Sequence, residues 1–163
     1  MINFCPTCGE KTNYQHHPPD TIKRATCSSC HQIHYENPRI ITGILPIYNN
    51  QIILCKRAIE PQKGKWTIPA GFMEQNETVE EGALREAKEE ANIDATIDYL
   101  LNIESIKKVN QVYIIFKATV TKNTFKPMEE TEAIKCVDIK NIPWNDIAFS
   151  AVTASLKKYS QKN

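Results

Sequence analysis

From Arg39 to Tyr48, and again from Gln51 to Arg57, apolar and β-branched residues run almost without a break around Asn49-Asn50. Two strand-like runs joined by two turn residues predict a β-hairpin. A short Trp66-Thr67-Ile68 run follows, and Pro69-Ala70-Gly71 reads as a tight turn. Over 78–91 the spacing changes to that of a helix, and Thr78 with Glu81 three residues later forms a capping box that fixes its start. Further on, 96–106 and 109–121 predict a second antiparallel pair and 133–139 another strand. A closing helix is predicted over 149–159, with Ala151, Ala154, Leu156 and Tyr159 available for packing. Strands around two isolated helices, with no regular βαβ alternation, predict an α+β fold, an α/β/α sandwich built on a mixed sheet.

The first 36 residues follow another logic. Cys5-Pro-Thr-Cys8 and Cys27-Ser-Ser-Cys30 are two C-x2-C pairs separated by 18 residues, the spacing of a zinc ribbon. Two thiolates three residues apart on a tight knuckle reach one ion, and Gly9 frees the backbone to turn. Cys5, Cys8, Cys27 and Cys30 complete a tetrahedral site with no position left for water, so the zinc is expected to be structural. His16, His17, His31 and His34 lie nearby but are not needed as ligands. Cys55 and Cys136 fall in apolar runs and read as small buried hydrophobes. A unit this small draws much of its folding free energy from metal, and Asn37-Pro38 biases the chain to extended geometry where the composition changes. The organisation expected is a ribbon over 1–36 and a main domain over 37–163.

The remaining composition narrows the setting. Among 163 residues, 20 Lys and Arg stand against 19 Asp and Glu, a formal net charge of +1. That balance gives no broad pull toward nucleic acid, and only Lys11, Lys23 and Arg24 are basic within the ribbon. No apolar run is long enough to span a bilayer, and the N-terminal residues lack the pattern of a signal peptide. The expected location is the cytoplasm, where six cysteines favour metal over disulfides.

Candidate chemistry concentrates on the predicted helix. At 100° per residue, Glu86, Glu89 and Glu90 fall within about 100° of arc, whereas Ala83, Leu84, Ala87 and Ala91 fill a separate apolar sector. Carboxylates crowded on one stripe repel one another, so a cation is expected to relieve them. Hard oxygen ligands select Mg²⁺ or Mn²⁺, and the Ala70-Gly71 turn offers a backbone carbonyl as a further ligand at Gly71. A solvated helix face would use the same residues, and this stripe alone does not separate the two readings.

The whole pattern does more. The stretch Gly71-x5-Glu77-x7-Arg85-Glu86-Ala87-x-Glu89-Glu90-x-Asn92-Ile93 resembles the Nudix box, departing from it at Asn92, where the family has Gly. Asn tolerates a left-handed backbone, so the turn after the helix is expected to survive. The ribbon, Tyr35-Glu-Asn-Pro38, Leu54-Cys-Lys-Arg57, Gly64-Lys-Trp66 to Phe72, Gln111-Val-Tyr113 to Phe116 and the segment from Ile142 to Ser150 extend the resemblance to zinc-ribbon Nudix hydrolases. That group includes a plant enzyme cleaving FAD and ADP-ribose, with bacterial relatives.

The resemblance implies hydrolysis of a nucleoside diphosphate linked to another moiety, FAD or ADP-ribose first, giving AMP plus FMN or ribose 5-phosphate. It implies Mg²⁺ or Mn²⁺ on Glu86, Glu89, Glu90 and Gly71, with Arg85 orienting Glu86 and Glu77 in support. Relatives acting on ADP-ribose-like substrates often take their base from a distant loop glutamate. Here the acidic cluster Glu129-Glu130-Thr-Glu132 after Pro127 offers one, with Glu132 placed first and Glu130 next because Glu132 adjoins a strand; Glu86 is the alternative. Arg57 and Lys56 are candidates to neutralise the diphosphate, with a solvated edge charge as the alternative, and Trp66, Phe72 and Tyr113 to stack on a base or flavin, with core packing as the competing use of each. The expected partner is a small dinucleotide or nucleotide sugar, with neither membrane nor nucleic acid; a homodimer is compatible with this reading. An NADH pyrophosphatase also joins a ribbon to this box, but its S-Q-P-W-P-F-P-x-S signature is missing from Ile93 to Ser105. An inactive, nucleic-acid-binding ribbon module is the competing class.

Overall fold

The computed structural model describes residues 1–162 and divides into two compact units, Met1–Pro38 and Arg39–Asn163. The first unit is a three-stranded antiparallel sheet in which β1 (Thr12–Gln15) pairs with β2 (Arg24–Cys27) and β2 with β3 (Ile33–His34). Its apolar interior is small. Ala25 and Thr26 are buried beside Cys5 and Cys27, and the surface is tied by an Arg24–Asp20 ion pair at 2.9 Å.

The second unit is built on a seven-stranded mixed sheet. Strands β4 (Arg39–Tyr48) and β5 (Gln51–Arg57) form the expected hairpin, and Asn49 and Asn50 have φ of 47° and 63°, the two left-handed residues a tight hairpin turn requires. Only Ile47 and Tyr48 pair with β5. At its other end β4 pairs with β7 (Ala70–Phe72), so the sheet splits between the two partners. The tight turn expected at Ala70-Gly71 is therefore a short strand; the pairing partner that makes it one lies some thirty positions earlier. Strand β6 (Trp66–Thr67) pairs antiparallel with the end of β5.

Helix α1 (Val79–Ala91) leads into β8 (Ala95–Ile106), which runs antiparallel to β9 (Gln111–Val120). Strand β9 lies parallel to β4 along its whole length. Strand β10 (Thr131–Val137) closes the far edge against β5, and α2 (Ser150–Ser160) ends the fold. Strand β10 begins two residues earlier than the sequence predicts, and Ile139 belongs to a 3₁₀ turn.

The central strands are buried on both faces, and their alternation sorts side chains into two cores. Leu45, Ile52, Leu54 and Ile115 face α2, packing on Ala151, Val152, Leu156 and Tyr159. Ile44, Ile53, Cys55, Phe116 and Ala118 face α1, packing on Ala83, Ala87 and Ala91. Helix, sheet and helix form the expected α+β sandwich. Ala154 is only half-buried, as is Cys136, whereas Val152 and Ser155 join the buried face of α2. Among the described residues no helix is long and apolar enough to cross a membrane.

Candidate active site

The capping box forms as the sequence predicts: Glu81 N–H donates to Thr78 Oγ1 at 3.2 Å and Thr78 N–H to Glu81 Oε2 at 2.8 Å. Fixing the first turn fixes the direction of every later side chain on α1. At the other end Asn92 has φ 50°, and its N–H reaches the carbonyls of Ala87 and Lys88. Asparagine thus supplies the left-handed cap, and its Nδ2 donates to the Thr124 carbonyl at 2.8 Å.

The acidic stripe is not a uniform solvated face. Arg85 binds three of the carboxylates around it. Its Nε and Nη2 donate to Glu77 Oε2 and Oε1, each at 2.9 Å, while Nη1 donates to Glu86 at 2.8 Å and to Glu89 at 3.0 Å. Nη2 also reaches the Phe72 carbonyl at 3.1 Å, tying α1 to the end of β7. The Arg85 hydrogen bonds, with the Glu74 N–H, hold the Glu77 carboxyl down at about 2. Glu77 is thereby a fixed anion that anchors Arg85.

Two glycines make this packing geometrically permissible. A Cβ on Gly71 would collide with the Glu86 carboxylate, and one on Gly82 would come within 2.6 Å of Glu77 Oε1 and 2.8 Å of Thr42 Cγ2. A helix-interior glycine costs roughly 1 kcal/mol relative to alanine, so Gly82 is a signal in the sequence whose reason emerges only from this contact.

Glu86 and Glu90 differ in environment from Glu89, whose side chain is 61% exposed. Burial raises the Glu86 carboxyl, opposed by Arg85 and reinforced by Glu89 and Glu130. Glu90 is pushed up to about 8 by burial first, then by repulsion from Glu86 and Glu130; Arg57 and the Ala70 N–H offset part of this. The donor set is hard oxygen, crowded, and short of positive charge. That is the chemistry a divalent cation satisfies.

A cavity of about 660 Å³ opens over these residues. Gly71, Phe72, Arg85, Glu86, Glu89 and Glu90 line one side, and Arg57, Tyr113, Glu129 and Glu130 contribute from other elements. Glu130 reaches it because its loop is pinned to α1: Lys126 N–H donates to the Ala91 carbonyl at 2.9 Å and Met128 N–H to the Glu90 carbonyl at 3.3 Å. The Glu130 carbonyl in turn accepts from Ala58 N–H at 2.9 Å.

Three expected residues, Glu132, Lys56 and Trp66, lie elsewhere. Glu132 is the extra residue of a bulge in β10 and pairs with Lys56 at 3.1 Å, away from the cavity lining. Trp66 packs against the α2-side core with Lys135 Nζ 3.9 Å from its ring centroid, and it too is absent from the lining. Phe72 is 47% exposed beneath the Arg39 guanidinium, whereas Tyr113 is largely buried. Phe149 and Gln111 also line the cavity; both fall in segments that extend the resemblance, but neither was given a role in the sequence, since neither carries a charge nor sits in the box. Arg57 stacks on Phe149 at 5.0 Å and donates from Nε to the Pro61 carbonyl at 2.8 Å.

In the first unit the sulfurs of Cys5, Cys8, Cys27 and Cys30 converge within 4.8 Å of one another. Separations of 3.4 Å for Cys8–Cys27, 3.6 Å for Cys8–Cys30 and 3.7 Å for Cys5–Cys30 approach the edge of about 3.8 Å expected when four sulfurs surround zinc at 2.3 Å. Gly9 and His31, each directly after the second cysteine of a pair, have φ of 79° and 59°. His34 Nε2 lies 3.3 Å from Cys5 Sγ. Burial opposes the Cys5 thiolate, but the N–H groups of Cys8 and Thr7, with His34, hold its pKa down at about 5.

Known proteins share both units. The family model described as the NUDIX domain matches residues 37–156, and one described as Nudix N-terminal matches residues 3–36. A crystal structure of a NUDIX hydrolase from Nitrosomonas europaea is 42% identical, with a TM-score of 0.95 over 99% of this chain and 92% of that one. An ADP-ribose pyrophosphatase from Methanocaldococcus jannaschii is 30% identical over 67% of each chain. The NAD-capped RNA hydrolase NudC of Vibrio atlanticus is 28% identical over 87% of this chain, which spans 51% of that relative's length. The domain model covers most of the chain and falls on the elements that gather the glutamates, and the chain belongs to the Nudix family.

Proposed function

We propose that the protein is a Mg²⁺- or Mn²⁺-dependent pyrophosphohydrolase that cleaves a nucleoside diphosphate joined to a second moiety, with ADP-ribose the first candidate and FAD another. The observation that carries this reading is the convergence of Glu86, Glu90 and Glu130 with Arg57 in one cleft, where burial and mutual repulsion leave Glu90 near 8. Glu86, Glu89 and Glu90, with the Gly71 carbonyl, would hold the cation. When bound, it supplies neutralisation of the diphosphate and polarisation of the scissile phosphorus.

The chain's own residues do the rest. Arg57, held by Phe149 and the Pro61 carbonyl, faces the cleft as the cation available to the diphosphate. Arg85 is committed to Glu77, Glu86 and Glu89 and acts by orienting them. Glu130 takes the proton as the water oxygen forms its bond to phosphorus and the bridging P–O bond breaks. It has precedence over Glu132, whose carboxylate faces Lys56. In the ribbon, the four cysteines hold a structural zinc and take no part in the reaction.

The likeness to an ADP-ribose pyrophosphatase supports ADP-ribose, and the likeness to NAD-capped RNA hydrolases supports an NAD-like dinucleotide as the second reading. Product analysis with Mg²⁺ across ADP-ribose, FAD, NADH and nucleoside triphosphates is the test. AMP plus ribose 5-phosphate is the expected outcome; AMP plus FMN would move FAD first. Absence of cleavage in all four, with bound metal verified, would overturn the hydrolase assignment.

A further inference from the structure

A second cavity, of about 300 Å³, shares Pro61, Gln111, Tyr113 and Phe149 with the first. Ile106, Val109 and the start of α2 complete it, and no charged residue lines it. The two cavities therefore differ in what they accept. The first, with its glutamates and Arg57, suits a diphosphate and its cation. The second suits a neutral planar group with two aromatic side chains beside it, because a π face is stabilised by stacking and apolar burial.

Gln111 is the one carboxamide that lines both. Gln111 is the first residue of β9, and strand alternation puts it on the same face as Tyr113. Both line the two cavities. Among the described residues no side chain or backbone group is hydrogen-bonded to the Gln111 amide, which offers one acceptor and two donors. Along its N7 edge a 6-aminopurine presents a donor beside a ring-nitrogen acceptor, the complement of a carboxamide. Along the same edge a 6-oxopurine presents two acceptors, only one of which the carboxamide can meet. The wall facing Gln111 is set in advance, because Arg57 binds the Pro61 carbonyl and stacks on Phe149.

We propose that the second cavity holds the base of the substrate and that Gln111 selects a 6-aminopurine over a 6-oxopurine there. This rests on the diphosphate-hydrolase reading and adds the base specificity of the same cleft.

Calorimetric binding of AMP and IMP in the presence of Mg²⁺ tests it, since the two differ at the purine 6-position and neither contains a phosphoanhydride. The intact protein is expected to bind AMP about tenfold more tightly than IMP, the discrimination typical of one well-placed carboxamide pair. Gln111→Leu should bring the two affinities within about twofold to threefold. Glu89→Gln should lose hydrolysis of ADP-ribose yet keep the AMP preference. Equal affinities in the intact protein, or a preference that survives Gln111→Leu, would overturn the proposal. Discrimination without any hydrolysis would leave base selection standing and remove the hydrolase reading instead.

Discussion

Gly71 and the Glu86 carboxylate lie in such close apposition that a Cβ at position 71 would fall on Cδ and both oxygens of Glu86. The contact couples β7 to α1 at the point where the proposed cation would sit. Gly71→Ala should rotate or displace the carboxylate while leaving the cores on either side of the sheet intact. A misplacement of about 1 Å at a reacting centre costs on the order of 100-fold, so kcat should fall roughly 10- to 100-fold and the Mg²⁺ requirement should rise. Titration of activity against Mg²⁺ checks this, and an unchanged profile would show that Glu86 is not a ligand.

Glu90 makes stability depend on pH in a direction opposite to that of most carboxylates. Its ordinary value is 4.5 and its folded value is about 8, so between these limits the metal-free native state binds more protons than the unfolded chain. Stability therefore falls as pH rises from about 5 to 8, by a few kcal/mol at about 1.4 kcal/mol per pH unit. Mg²⁺ or Mn²⁺ should raise Tm more at pH 8 than at pH 5, because it supplies the charge the ionised site lacks. Glu90→Gln should flatten both effects in thermal unfolding and remove turnover. A metal-free Tm that rises between pH 5 and 8 in step with that of Glu90→Gln would contradict the assignment.

The ribbon should depend on zinc as the main domain does not. Metal analysis of the purified protein is expected to give one zinc per chain held by Cys5, Cys8, Cys27 and Cys30. Cys8→Ser should expose residues 1–36 to protease, because a structural zinc contributes on the order of 10 kcal/mol or more at neutral pH. The cooperative unfolding of the main domain, whose cores draw nothing from the cysteine cluster, should persist. Zinc-free protein with an equally resistant N-terminal region would defeat the claim.

Long periodic segments and fixed spacings were legible because their cause is local. The hairpin, the helices and the cysteine pairs each depend on residues a few positions apart, and so does the acidic stripe. What failed depended on distant partners. Ala70-Gly71 reads as a turn until β4 pairs with it, and Trp66 can face a base or a core until β5 fixes its side. Glu132 looked the better-held carboxylate because it adjoins a strand. The structure gives it to Lys56 across a bulge and instead pins the preceding loop to the last carbonyls of α1. Gln111 and Phe149 fall in segments that extend the resemblance, but their role emerges only where the start of β9 and the start of α2 line one cavity.

The proposed base, Glu130, sits in that loop. Glu130 lines the cleft and acts electrostatically on both Glu86 and Glu90, while its backbone is held from Ala58 and its loop from α1. Glu129 shares the lining, and Glu132 does not. A positioned general base contributes about 10²- to 10⁴-fold, so Glu130→Gln should lower kcat by that range, leave KM nearly unchanged and remove the acidic limb of the pH profile. Glu132→Gln should stay within a few-fold, since it removes only a surface pair of the kind worth about 1 kcal/mol or less. Steady-state kinetics over pH 5 to 9 on both variants decides between them. A large loss in Glu132→Gln with normal turnover in Glu130→Gln would restore the strand-adjacent residue. Normal turnover in both would pass the role to Glu86, which Arg85 already holds at 2.8 Å beside the proposed cation.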